Sequence, residues 1–163
     1  MFREMRRKTQ QLSYEESISV LRRGTSGVLA TEGDNGYPYA VPMSYVYCDG
    51  KIWFHCAKTG HKIDAITKNE KVSFCVIEKD DVRPREFTTY YRSVIVFGKV
   101  RVLEKISEKR AALEKLAEKY SPDDEAGRLK EIEKSFEHLH MIELVIEHIT
   151  GKEARKFVQS KVN

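Results

Sequence analysis

The sequence predicts a mainly β domain: about six antiparallel strands curled into a small barrel, with short helices packed outside it. Three observations carry that prediction. Short runs rich in β-branched and aromatic residues recur through the first two thirds of the chain, separated by turn residues. Asn35-Gly36 and Asp49-Gly50 mark turns far too short for the crossover that a parallel sheet requires. Helical spacing appears only in a few places instead of alternating with every strand.

The elements follow in order. Ser13 with Glu16 three positions on is a capping-box pattern, and it opens a helix that continues through Ile18, Val20 and Leu21 and stops near Gly24. A first strand covers residues 27–32, a tight turn 33–36, and a second strand 38–47. Asp49-Gly50 turns the chain into a third strand, 51–57, so the three form a meander. Residues 60–68 switch to helical spacing with Ile63 and Ile66 apolar. A fourth strand at 71–77 leads into a polar loop holding Arg83-Pro84-Arg85. A long strand then runs from about Tyr91 through Val94, Val96 and Gly98 to Leu103.

Residues 107–120 form an amphipathic helix with Ala111, Leu113, Leu116 and Ala117 on its apolar side. Ser121-Pro-Asp-Asp supplies a turn and a new N-cap, followed by a charged helix around 128–138. The last strand, 140–149, alternates imperfectly, as expected of a strand buried on one face. The helices at 107–120 and 125–138 are expected to cover the sheet and to pack in a dimer. With no repeat and no low-complexity linker, residues 1–163 read as one domain with basic, flexible ends at 1–8 and 158–163.

Composition bounds the function. The chain has 163 residues, 29 Lys+Arg against 25 Asp+Glu, a net charge of +4, and is 40% hydrophobic. That suffices for one domain burying about 70% of its unfolded surface, and it is too apolar for a disordered tail. No run approaches the roughly 18–20 apolar residues of a membrane span, and the basic opening has no apolar stretch behind it, so neither a membrane protein nor a secretory signal is expected. Cys48, Cys56 and Cys75 are odd in number and fit no zinc spacing, which suggests free thiols, a cytoplasmic setting and no metal. Arg3, Arg6, Arg7 and Lys8 at one end, and Lys152, Arg155, Lys156 and Lys161 at the other, supply much of the charge and read as solvated ends. Acids interspersed through the helices set nucleic acid aside, despite these basic ends and the tyrosines at 37, 39, 45 and 47.

The chemistry concentrates in Phe54-His-Cys-Ala-Lys-Thr-Gly-His-Lys62. A strand ends in a histidine, a turn closes at Gly60, and His61-Lys62 opens a helix. Free N–H groups and the helix dipole favour an anion there, and the two side chains add cationic donors. Such a nest suits one phosphate monoester, with Lys58 as a third donor; a solvated turn with a surface lysine fits the same residues. His55 points opposite to Phe54 and Cys56, as a hydrogen-bonded core or interface residue or as a catalytic one. Cys56 lacks a nucleophile's partners and reads as a packing or cofactor-contact residue. Pro38 and Pro42 mark an edge strand, or freed backbone that bonds a flat heteroaromatic ring. Ser93 places a polar group in an otherwise apolar strand.

Three segments together resemble the nitroimidazole-resistance (Nim) branch of the pyridoxamine 5′-phosphate oxidase-like flavoproteins: 37–47 with its Pro-Met-Ser-Tyr, 50–66 with its His-Cys-Ala-x-x-Gly-His-Lys, and Ser93-Val-Ile-Val-Phe-Gly-Lys-Val. Met5-Arg6-Arg7 and Ile149-Thr-Gly-Lys152 extend the likeness over residues 3–157. The resemblance implies a six-stranded split β-barrel that forms a homodimer, with one FMN in each of two clefts at the interface. By analogy Met43, Ser44 and Tyr45 line the isoalloxazine ring, and His55, Cys56 and Ala57 run beside the flavin and its ribityl chain. His61 and Lys62 hold the phosphate, while Tyr91, Ser93 and Val94 are the next strand's contribution. It further implies an FMN-dependent oxidoreductase, passing electrons from a donor such as NAD(P)H to a small-molecule nitroimidazole or nitroaromatic. His55 is then the candidate for proton delivery or substrate contact. A flavin- or haem-binding carrier or sensor of the same fold is the alternative, and a deazaflavin is the alternative ligand. The closing residues hold no extended arginine-bearing segment of the kind expected in a true pyridoxamine phosphate oxidase, so vitamin B6 oxidation is not expected.

Overall fold

Asp49 and Gly50 sit at positive φ, 46° and 78°, the pair of conformations that closes a two-residue hairpin with the twist of its strands. Asn35 and Gly36 repeat it at 56° and 78°. Around these turns the computed structural model, which describes residues 1–162, arranges α1 (Tyr14–Arg23), β1 (Ser26–Glu32), β2 (Pro38–Ser44), β3 (Val46–Cys48), β4 (Lys51–Ala57), α2 (His61–Lys68), β5 (Lys71–Arg83), β6 (Thr88–Val102), α3 (Ile106–Tyr120), α4 (Glu125–Ser135), β7 (Leu139–Glu153) and α5 (Arg155–Val162). The capping box forms as expected: Glu16 N–H donates to Ser13 Oγ, and Ser13 N–H to the Glu16 carboxylate.

The strands make one seven-stranded sheet in the order β2-β1-β5-β6-β7-β4-β3, with every pairing antiparallel. Its two edge strands, β2 and β3, are joined by Tyr45 alone. A sheet whose opposite edges are one residue apart in the chain must wrap round on itself, leaving a barrel open along that seam. The expected count of six strands is corrected here. The 38–47 run splits at Tyr45, whose side chain is fully buried and donates its hydroxyl to Leu21 O at 2.8 Å.

Two further boundaries change. The segment after Ile77, expected as a polar loop, continues as strand to Arg83 and returns from Thr88 as a two-stranded ribbon. Charged and hydroxylated residues pair there, and the groups packed on them come from the chain ends, Gln10 on Tyr91 and Phe157 on Tyr90, so no apolar alternation marks it. The final strand spans 139–153, and a bulge lets Phe97 face His148 and Gly98 face Ile146, skipping Glu147. At that bulge a Cβ on Gly98 would collide with Val145 O. β7 is also buried on both faces, with Met141, Ile142 and Leu144 all fully buried; hence its near-continuous apolar run rather than a clean alternation.

The barrel interior is filled by Leu29, Phe54, Phe74, Val76, Val96 and Leu144, and α1 adds Ile18, Val20 and Leu21 to the same cluster. Tyr45 and Phe54 both approach Phe74 edge-on, with ring centroids 5.0 Å apart. Outside the barrel, α3 and α4 lay Leu113, Leu116 and Ile132 over Val46, Leu139 and Met141, forming a second cluster. These helices therefore cover the sheet as expected. No helix among the described residues is long and apolar enough to cross a membrane. Of the basic end at 158–163, Asn163 lies outside the described residues.

Candidate functional site

Alternation along β4 buries Ile52, Phe54 and Cys56 in the barrel and turns Trp53, His55 and Ala57 to its outer wall. The chain then bends through Gly60, whose φ of 121° favours glycine, and starts α2. No side chain caps that helix. Ile63 and Asp64 N–H donate to Gly60 O, which leaves the N–H groups of His61 and Lys62 for an outside acceptor. Lys62 has no ion pair or side-chain hydrogen bond among the described residues. His61 is anchored instead: its ring stacks on Tyr39 at 4.0 Å, and Nε2 lies 3.7 Å from Asp34 Oδ2.

A cavity of about 170 Å³ opens here, lined by Tyr39, Ala57, Gly60, His61 and Lys62 among others. The space and the donor set match one tetrahedral anion. Burial and then the charge of Lys62 hold the His55 imidazole below its ordinary pKa, favouring the neutral ring near pH 7. Burial pushes the Cys56 thiol up, with Lys62 opposing it; a protonated, buried thiol is a packing group. Lys58 is not among the residues that line this cavity.

On the other side of His55 lies a groove of about 540 Å³, roofed by α3 and α4 and lined by Ser44, His55, Leu116, Tyr120, Arg128 and Leu139 among others. Leu113, Leu116, Ile132 and Leu139 give it apolar wall and Ser44, His55, Tyr120 and Arg128 its polar groups, a mixture usual in pockets for organic molecules. Tyr120 also secures the seam: its hydroxyl accepts from Tyr45 N–H at 2.9 Å and donates toward Thr25 O. Sequence reasoning missed Tyr120 and Arg128. Helical periodicity marks which face of a helix is apolar but not which strand it covers.

The remaining sequence-predicted residues divide. Ser44 joins His55 on the outer wall. The side chains of Met43, Tyr45 and Val94 belong to the barrel core. Tyr91 and Ser93 lie far off: Ser93 pairs with Lys152, whereas His55 pairs with Met141, eleven positions away along β7. That is a path of roughly 37 Å at about 3.4 Å per residue. One protomer therefore brings together Ser44, His55, Ala57, His61 and Lys62, and leaves Tyr91 and Ser93 at the other end. Among the described residues no cluster of His, Cys, Asp or Glu is arranged to hold a metal ion.

Fold and site together define a small antiparallel barrel with a pocket beside Lys62 at the start of α2 and a larger groove beside His55 on its outer wall. The sequence profile of the pyridoxamine 5′-phosphate oxidase family matches residues 13–153, and the chain belongs to that family. No curated protein matches it. Among solved structures, a candidate 5-nitroimidazole antibiotic resistance protein from Bacteroides thetaiotaomicron superposes with a TM-score of 0.74 at 20% identity, covering 88% of this chain and 86% of that one. An FAD-binding protein from Mesorhizobium loti is 26% identical with a TM-score of 0.63, over 89% of this chain and 97% of that one. An FAD- and haem-binding protein from Mycobacterium smegmatis is 20% identical with a TM-score of 0.75, over 89% and 73%.

Proposed function

We propose that the protein is a flavin-dependent oxidoreductase of the nitroimidazole-resistance kind, binding FMN on the outer wall of its barrel. The observation that carries this reading is the unpaired Lys62 at the uncapped start of α2, directly beside the outward-facing His55. His61 and Lys62 would hold the phosphate, Ala57 and His55 would flank the chain that follows, and the groove at Ser44 would take the ring. The FAD-binding relatives of the same fold support a flavin as the ligand. When bound, the flavin would carry reducing equivalents from a reduced nicotinamide donor to a small acceptor such as a nitro group. His55, held neutral, can accept or return a proton at its imidazole.

The reading includes a homodimer. Across β2, β1, β5 and β6 the register aligns Pro42, Val28, Cys75 and Ile95 in one row and Ala40, Ala30, Ser73 and Phe97 in the next. Val28, Ile95 and Phe97 remain about two-fifths exposed on that outer face, at 38%, 41% and 39%. A second copy covering this patch would remove it from water. It would also give the distant Tyr91, Ser93 and Val94 segment a route to the nest of the other subunit, which it cannot reach in its own.

The test is anaerobic mixing with NADPH and a nitroaromatic, followed by the flavin absorbance. Bleaching by NADPH and reoxidation on every addition of acceptor is expected. A flavin that stays oxidised throughout would leave a carrier, not a reductase.

A further inference from the structure

A second large cavity, about 540 Å³, lies where the β5–β6 ribbon meets both ends of the chain, and is lined by Arg7, Thr88, Tyr91, Arg155 and Lys156 among others. Arg7 and Arg155 fall outside the segment matched by the family profile, residues 13–153, while Thr88 and Tyr91 fall inside it. Within one protomer the cavity lies far from the α2 nest, which is at the other end of β7.

Its walls present donors. Gln10 is only 3% exposed, and its Nε2 donates to Tyr91 Oη at 3.1 Å and to Glu153 O at 3.0 Å. A phenol that already accepts from a buried amide has its own O–H left to donate, and Tyr91 faces the cavity. The carboxylate in the wall, Glu86, is already engaged: Tyr90 donates to it at 2.6 Å and Lys156 lies 3.6 Å away. Arg155 has no ion pair or side-chain hydrogen bond among the described residues, and Arg7 makes only a 3.5 Å contact with Gln10 Oε1. Two uncommitted guanidinium forks beside hydroxyl donors match the oxygens of a phosphate. The cavity is about three times the volume of the α2 nest, leaving room for more than the anion itself.

We propose that this cavity is a phosphate-binding site for a nucleotide, with Arg7 and Arg155 gripping the phosphate and the Tyr91 hydroxyl donating to it. The nucleotide is either a separate molecule, such as the electron donor, or the adenylate half of a flavin longer than FMN. The site stands on its own residues and does not require the flavin reading.

Calorimetric titration of the full chain, stripped of any cofactor, with NADP⁺, AMP, FMN and FAD tests it. Arg7→Ala/Arg155→Ala alters two side chains outside the core, and Tyr91→Phe removes only a hydroxyl. The expected result is that the double variant weakens NADP⁺ and AMP by about tenfold or more while FMN binds as in the wild type, and that Tyr91→Phe weakens NADP⁺ and AMP several-fold. A loss confined to FAD would also support the site and identify its occupant as the cofactor's adenylate. The proposal is overturned if the double variant binds all four as the wild type does, or if the wild type binds neither NADP⁺ nor AMP and does not distinguish FAD from FMN. Failure of FMN uptake with NADP⁺ binding still sensitive to the two arginines would remove the flavin reading and leave this one.

Discussion

Lys119 is a half-buried cation held in an awkward place. Its Nζ donates to Gly24 O and sits 4.1 Å from the centre of the Tyr45 ring. Burial pulls its pKa down to about 8 from an ordinary 10.5. Because the folded value is the lower one, the unfolded chain binds more protons between these limits, and stability should rise as pH increases through that window. Urea unfolding at pH 7.5 and 9.5 checks this: the wild-type midpoint should rise relative to that of Lys119→Met, and parallel midpoints would disprove it. Legibility at this scale followed locality. The His61-Lys62 nest could be read because turn, glycine and cations are contiguous in sequence. Tyr45 could not, because its hydroxyl partner Leu21 O lies 24 residues away and a tyrosine reads equally as pocket wall or core. A still longer separation hid Gln10, whose partner Tyr91 is 81 residues on.

Among the elements, those with a packed face and a cap were written plainly: α1 begins at its capping box and the β3–β4 hairpin turns at Asp49-Gly50. The ribbon beyond Ile77 shows no apolar period because its half-buried positions are charged residues and tyrosines, Lys79, Asp81, Tyr90 and Tyr91. The bulge at Glu147 was missed because one extra residue in a long apolar strand leaves the composition unchanged. It explains the glycine opposite. Gly98→Ala places a methyl group against Val145 O, a backbone atom that cannot swing aside. The variant should lose about 3 kcal/mol in urea unfolding, with β6–β7 amide protons exchanging fastest; unchanged stability would mean that the bulge is not where the register places it.

At the scale of the whole molecule, the sheet wraps so that one wall carries the anion nest and groove while another shows an apolar patch across β2, β1, β5 and β6. Those strands could be listed from sequence. Their order could not, because the position of β7 between β6 and β4 depends on contacts between distant segments. Replacing Ile95, 41% exposed on the β6 side of the patch, with Glu should leave the barrel folded and convert a dimer to a monomer in light scattering. Flavin retention should fall with it, because the site would lack the second subunit. A variant that remains a dimer would place the interface elsewhere.

The central claim is that the start of α2 holds the phosphate of a flavin. The most direct measurement is a fluorescence titration of the protein with FMN and with riboflavin, which differ only in that phosphate, repeated on Lys62→Ala. The account predicts that the wild type binds FMN about 10–100-fold more tightly than riboflavin, as expected for charge-assisted hydrogen bonds, and that Lys62→Ala removes most of the difference. Equal affinity for the two ligands, or no binding of either, would contradict it.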